Sequence, residues 1–205
     1  MRGSISDKIY DSLKRLQPGT IVFPADFLEL GGNTAVNMAL SRLAKEGYIQ
    51  RFAKGIYFTP KTDPLLGPVH PSLEDVAKSI AEKEQIRIRP TGAYALNKLG
   101  LSTQVPMKIV YLTNGHPRNF KIGKGSVTFR QTTPKVMAVK NDLVFLAIQA
   151  LQELGKDGVT EQVRERLTEV LKRVELQQLK ADAKLAPVWI GQILYSIANK
   201  IAHNG

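Results

Sequence analysis

Glycine and proline cut the N-terminal third of this chain into segments that leave room only for short helices and strands. Pro18-Gly19, Gly31-Gly32, Gly47 and Gly55 each stop the run before them, because proline cannot continue a helix and glycine takes turn conformations at little cost. Between the stops, apolar spacing sets the type of element. Ile5, Ile9, Leu13 and Leu16 recur three or four apart among charged residues, which predicts an amphipathic helix with Ser4 or Ser6 as its cap. Residues 20–23 are β-branched and aromatic and predict a small strand. Pro24 suits a first helical turn, so residues 25–30 are expected to form a short second helix that Gly31-Gly32 breaks.

A third helix is expected over residues 33–47, capped by Asn33 and closed by Gly47. Val36, Leu40, Leu43 and Ala39 fall on one face of it, and Thr34, Asn37, Ser41, Arg42 and Lys45 on the other. Two alternating runs, residues 48–52 and 56–59, then flank Ala53-Lys54-Gly55 and predict a β-hairpin. Helix, strand, helix, turn, helix, hairpin is the order of a winged helix-turn-helix.

Pro60, Pro64, Pro68 and Pro71 crowd the next dozen residues, so residues 61–71 are expected to be a linker without regular structure. Beyond it the pattern is α+β. A helix capped by Ser72 buries Leu73, Val76, Ala77 and Ile80, a strand spans residues 86–89, and a short helix over residues 91–99 stops at Gly100. Strands are expected over residues 108–113, 119–122 and 126–131, separated by turn signals at Asn114-Gly115 and at Gly123-Lys124-Gly125. A helix rich in leucine begins at Asn141 or Asp142 and ends at Gly155, and two more are expected over residues 160–183 and 187–202. The fold class read from the sequence is α+β: a winged helix-turn-helix in residues 1–60, the linker 61–71, an α+β domain in 72–155 and a helical C-terminal extension in 156–205.

Charge narrows the partners. The chain of 205 residues carries 29 Lys and Arg against 18 Asp and Glu, a net +11, which draws a protein toward polyanions. The excess is concentrated. Residues 64–140 hold twelve basic and four acidic side chains, whereas residues 141–205 are balanced. With no cysteine in the chain, disulfides, thiolate metal sites and cysteine nucleophiles are excluded, and a reducing compartment, the cytoplasm, is expected. No signal peptide and no run of the roughly 18 apolar residues that a membrane span needs is visible.

Enzyme chemistry finds little to work with. His70, His116 and His203 are far apart, without the spacing of a metal site. Gly123-Lys124-Gly125-Ser126 lacks the earlier glycine and the following hydroxyl of a phosphate-binding loop. Glu74-Asp75 reads as complement to a helix dipole. Neither a catalytic residue, a metal nor a cofactor is expected.

Nucleic-acid chemistry finds more. Asn33, Thr34, Asn37, Ser41, Arg42 and Lys45 are side-chain types that bond base edges and phosphates, and one helix fits a major groove. Arg51 and Lys54 flank the hairpin tip, where phosphate or the minor groove is in reach. Arg87 and Arg89 alternate with Ile86 and Ile88, and Lys121, Lys124 and Arg130 lie on or beside the neighbouring hairpin. A second, basic sheet face is therefore a further expectation, serving DNA, RNA or an acidic partner.

Two stretches carry a family resemblance. Leu40-Ser-Arg-Leu-Ala-Lys-Glu-Gly-Tyr-Ile-Gln-Arg51 with Lys54-Gly-Ile-Tyr-Phe58, and Ala95-Leu-Asn-Lys-Leu-Gly-Leu-Ser-Thr-Gln-Val-Pro106 followed by Tyr111-Leu-Thr-Asn-Gly115, resemble the antitoxin and regulator family of the AbiE type over residues 5–150. The resemblance implies a winged helix joined to an α+β domain, repression of its own promoter through an inverted-repeat operator, and protection against a nucleotidyltransferase-like toxin, by direct binding or indirectly, as in type IV systems. It places the recognition helix on residues 33–45 and the wing on residues 51–55. It does not extend to the helical tail. Two alternatives stay open: a protein-binding antitoxin module whose winged helix is a scaffold, and a basic RNA-binding protein.

Overall fold

The computed structural model describes residues 3–122 and 124–203. Met1, Arg2, Asn204, Gly205 and Gly123, the first glycine of the second turn signal, are outside that range. The protein is a mixed α+β chain in two compact units, one of residues 1–80 with 120–125, the other of residues 81–119 with 126–205.

The first unit opens with helix α1, Ile5–Lys14. Ser4, not Ser6, is its cap: the Ser4 hydroxyl accepts from the Asp7 amide at 3.2 Å, and the Asp7 carboxylate accepts from the Ser4 amide at 2.8 Å. The Ser4 hydroxyl, which also donates to the Asp7 carboxylate at 2.8 Å, and the Ser4 amide together lower the pKa of that carboxyl. Strand β1, Ile21–Val22, leads into a 3₁₀ turn, Pro24–Phe27, where an α-helix of residues 25–30 was expected. The segment is too short for α-helical nucleation to be repaid. Helix α2, Asn33–Lys45, follows. Gly31 allows a close approach, since a Cβ there would sit 2.6 Å from Ile5 Cδ1 of α1.

Strands β2, Gln50–Ala53, and β3, Ile56–Phe58, form the expected hairpin, with Gly55 at φ 72° in its turn. The sheet order is β1-β3-β2, all antiparallel, with Val22 opposite Tyr57 and Arg51 opposite Tyr57 from the other side. Ile9, Leu13, Val22, Phe27, Val36, Leu40, Leu43, Ile49 and Tyr57 make one core beneath these elements. The apolar face read for α2 is the buried one, and so is that of α1 at Ile9 and Leu13, whereas Leu16 lies beyond the end of α1 and is exposed.

The proline-rich stretch corrects the expectation of a linker. Strands β4, Lys61–Asp63, and β5, Gly67–Val69, pair antiparallel in a two-stranded ribbon. Pro64 occupies its tip and Pro68 lies opposite Thr62, on a strand whose outer edge is unpaired, which is where a sheet tolerates a missing N–H. The Asp63 carboxylate accepts from the amides of Leu65 and Leu66 at 2.9 and 3.0 Å and closes the tip. Helix α3, Leu73–Lys83, carries the predicted Ser72 cap, completed by Asp75, and the boundary between the units falls inside this helix rather than before it.

A four-stranded sheet has the order β6-β7-β9-β8, with β6 Ile88–Thr91, β7 Lys108–Thr113, β8 Arg118–Ile122 and β9 Gly125–Gln131; all of it but residues 120–122 of β8 and Gly125 belongs to the second unit. β7 is antiparallel to β6 and parallel to β9. β6 lies at an edge, so it accepts Pro90; the strand is shifted by two residues from the expected 86–89. Helices α4 Ala93–Lys98, α5 Pro134–Met137, α6 Asp142–Leu154, α7 Glu161–Leu171, α8 Leu176–Ala183 and α9 Val188–His203 complete the unit. Asn141 caps α6 and Gly155 ends it.

The expected single helix over residues 160–183 is broken between α7 and α8. Twenty-four residues in one helix would run about 36 Å in a line; the break instead turns Val174, Leu179 and Ala183 into the core that Leu167 and Leu171 already enter. That core also contains Leu112 of the sheet, Val144, Ile148 and Leu151 of α6, and Ile190, Leu194 and Ile197 of α9. Residues 156–205 are thus part of this unit and not an appendage to it. Among the described residues no helix is long and apolar enough to cross a membrane.

Candidate nucleic-acid interface

The 3.6-residue period sets what α2 can present. With Val36, Ala39, Leu40 and Leu43 buried, the opposite face centres on Thr34, Met38, Ser41 and Lys45, flanked by Asn37 and Arg42. Thr34, Asn37, Arg42 and Lys45 are exposed and Ser41 is half-buried, so the five residues predicted to share a face do so. Asn33 departs from its predicted role. Gly32 is the N-cap and Asn33 the first helical residue, exposed, with its side-chain oxygen accepting from the Asn37 amide nitrogen at 2.6 Å. The same nitrogen donates to the Asn33 carbonyl at 2.8 Å. The two asparagines therefore form one polar unit at the start of the helix.

Arg42 meets Glu46 at 3.4 Å across one turn, with both side chains largely in solvent. Such a pair contributes about 0–1 kcal/mol and yields readily to another anion. Met38, 68% exposed, is the residue that sequence reasoning missed. Its signal was positional: it stands four after Thr34 and three before Ser41. Beside it, Ser4, Ser6, Ala35, Ser41, Arg42 and Lys45 line an open groove of about 610 Å³ between α1 and α2. Three residues separate the Glu46 cap of α2 from the start of the hairpin at Gln50; Arg51 on β2 and Lys54 in the turn are both exposed. The first unit thus exposes four cations on α2 and the hairpin, Arg42, Lys45, Arg51 and Lys54, with hydroxyl and amide groups among them.

The second basic face is corrected at Arg89. Arg87, just before β6, and Arg89 both bond the segment that leads into α6, but only Arg89 is buried; Arg87 remains exposed. Arg87 donates to the Met137 carbonyl at 3.1 Å. Arg89 is 3% exposed. Its guanidinium donates to the carbonyls of Val139 and Asn141 at 2.5 and 3.4 Å and to the Asp142 carboxylate at 2.7 Å, and lies 3.7 Å over the Phe145 ring. Burial lowers its pKa and Asp142 opposes that. Arg89 is consequently a strut between the sheet and the start of α6, unable to touch a macromolecule. Lys121, Lys124 and Arg130 are exposed. The other face of the sheet is buried as well, at Ile109, Tyr111, Val127 and Phe129.

His70 stacks edge-on against Phe58 at 5.6 Å, while His116 and His203 are exposed. Among the described residues no group of three or more His, Asp or Glu side chains is placed to hold a metal ion.

No curated protein matches the chain. A solved structure to which it is similar is the crystal structure of the RV2827C protein from Mycobacterium tuberculosis, at 13% identity and a TM-score of 0.44, over 94% of this chain and 81% of that one. A family model described as a family of unknown function, DUF6088, matches residues 8–179, and the chain belongs to that family.

Proposed function

We propose that this protein is a DNA-binding transcriptional regulator, in which residues 5–58 act as a winged helix-turn-helix and α2 enters the major groove. The observation that carries the proposal is the exposed face of α2, where Thr34, Asn37, Ser41, Arg42 and Lys45 stand in one stripe opposite the core, next to a hairpin with exposed Arg51 and Lys54. On this reading Arg42 and the Asn33–Asn37 unit read base edges, Met38 offers apolar contact to a thymine methyl, and Lys45, Arg51 and Lys54 hold phosphates. The order β1-β3-β2 supports it, because β1 pins the hairpin to the helices while leaving its turn free.

The resemblance to the AbiE type extends the proposal: the protein represses its own promoter through an inverted repeat and, in the cytoplasm, counters a nucleotidyltransferase-like toxin. The test is fluorescence anisotropy with duplex DNA from upstream of the gene that encodes the chain, against a shuffled duplex. Tighter binding to the upstream duplex, lost on replacing Arg42 and Asn37, is the expected result. Equal binding to both duplexes would overturn the regulator reading. Co-expression with a nucleotidyltransferase encoded beside the gene tests the antitoxin role, with restored growth expected.

A further inference from the structure

The chain has one tryptophan, and its surroundings are not explained by DNA binding through the first unit. Trp189 lies near the start of α9, half-buried. Gln192, Ile193 and Ser196 follow it at i+3, i+4 and i+7, so the four side chains form one stripe. The stripe faces Arg164 of α7 and Lys156 of the α6–α7 connection across an open recess of about 410 Å³, within the size range of small-ligand sites.

Charge and contacts in this recess are unusual for the unit that holds it. Residues 141–205 carry equal numbers of acidic and basic side chains, yet no acidic residue lines the recess. Arg166, two residues from Arg164, pairs with Glu169 at 3.1 Å. Among the described residues neither Arg164 nor Lys156 forms an ion pair, and the side chain of Arg164 makes no hydrogen bond. The guanidinium nitrogens of Arg164 keep access to solvent and no acceptor of the protein takes them, so they are open to an anion. Beside it is a flat indole, and an amide and a hydroxyl lie one turn apart on the same helix.

We propose that this recess binds a nucleoside phosphate, free or at the end of a single strand. The base stacks on Trp189, Gln192 and Ser196 meet the base edge, and the phosphate takes the unpaired donors of Arg164 and Lys156. Ile193 closes the floor against the core. This proposal is independent of the winged-helix reading.

Trp189 is its own reporter, because all tryptophan emission from the intact chain comes from this recess. The experiment titrates the full-length protein with adenosine monophosphate, with a short single-stranded oligoadenylate, with adenosine and with inorganic phosphate, following the emission. Saturable quenching by the mononucleotide, at least about tenfold tighter than by adenosine or phosphate alone, assigns a free nucleotide. The same behaviour with the oligonucleotide only assigns a strand end. In either case Arg164→Gln and Lys156→Gln should each weaken binding about tenfold with an unchanged circular dichroism spectrum. Should Arg164→Gln fail to fold, the exposed Lys156 carries the test alone. No saturable quenching up to millimolar ligand, equal quenching by phosphate alone, or variants that bind like the parent would each overturn the proposal.

Discussion

Salt dependence gives the sharpest test of where the protein meets DNA, because the structure supplies the number. Arg42, Lys45, Arg51 and Lys54 are the exposed cations of α2 and the hairpin. If each neutralises one phosphate, the slope of log affinity against log salt is about −3.6, and raising salt from about 50 to about 200 mM weakens binding about 150-fold. Two copies on an inverted repeat would double the slope to about −7. The ion pair of Arg42 with Glu46 at 3.4 Å does not subtract from the count, since an exposed pair holds its arginine by no more than about 1 kcal/mol. Anisotropy titrations on one duplex at four salt concentrations measure the slope. The same titrations on a variant with all four cations changed to glutamine should return a slope smaller in magnitude by about 3.6. A parent slope near zero, or a variant slope equal to the parent's, would refute the placement of the contact on this face.

Arg42→Ala or Asn37→Ala should weaken specific binding by about 1–3 kcal/mol and leave the circular dichroism spectrum unchanged, whereas Lys54→Ala should weaken binding to all duplexes alike. Arg89→Leu leaves the Val139 carbonyl without a donor in a buried setting, and since Asp142 is largely in solvent the loss in urea unfolding should be about 1–3 kcal/mol. Asp7 ionises below its ordinary range because the folded state bonds its carboxylate to Ser4. Its contribution to α1 is therefore present above the unfolded Asp pKa and fades as pH falls through the lower folded value, and Asp7→Asn should flatten that acid limb in thermal melts. Changing Lys121, Lys124 and Arg130 together to glutamine should reduce either the salt slope of DNA binding or protection from a toxin; a variant unaltered in both assays would show that these charges serve solubility.

The helices and hairpin of the first unit were legible because local chemistry decides them. Stops at Gly31-Gly32, Gly47 and Gly55 coincide with a change of apolar period, and both point to the same boundaries. Where two local rules compete, the sequence is ambiguous. Asn33 has the better capping side chain, yet Gly32 takes the cap, and the Asn33 side chain is engaged by Asn37 instead. The ribbon β4–β5 was illegible because four prolines exclude a helix or a central strand but are compatible with a ribbon that has two free edges. The break between α7 and α8 was hidden for a different reason: Val163, Leu167, Val170 and Val174 keep one period through it, and only the need to return Leu179 and Ala183 to the core ends the helix.

Arg87 and Arg89 expose the limit of reading a binding face from alternation. Period two states which side chains share a side of a strand, and both arginines do reach the same segment. It does not state which side the rest of the chain will cover. Here the covering element is the start of α6, and its approach leaves the carbonyls of Met137 and Val139 directed at the sheet without helical partners, whereas the Asn141 carbonyl already accepts from the Phe145 amide. An apolar residue at position 89 could not bond the Val139 carbonyl, while a guanidinium does so and also stacks on Phe145. The same demand accounts for Asp182, 2% exposed, whose carboxylate accepts from the amides of Lys140 and Asn141 at 3.0 and 2.8 Å. One loop of unpaired backbone thus draws a cation from one side and an anion from the other. Part of the positive excess in residues 64–140 is in this way a structural cost of turning the chain into α6, and only the exposed remainder is available to a polyanion.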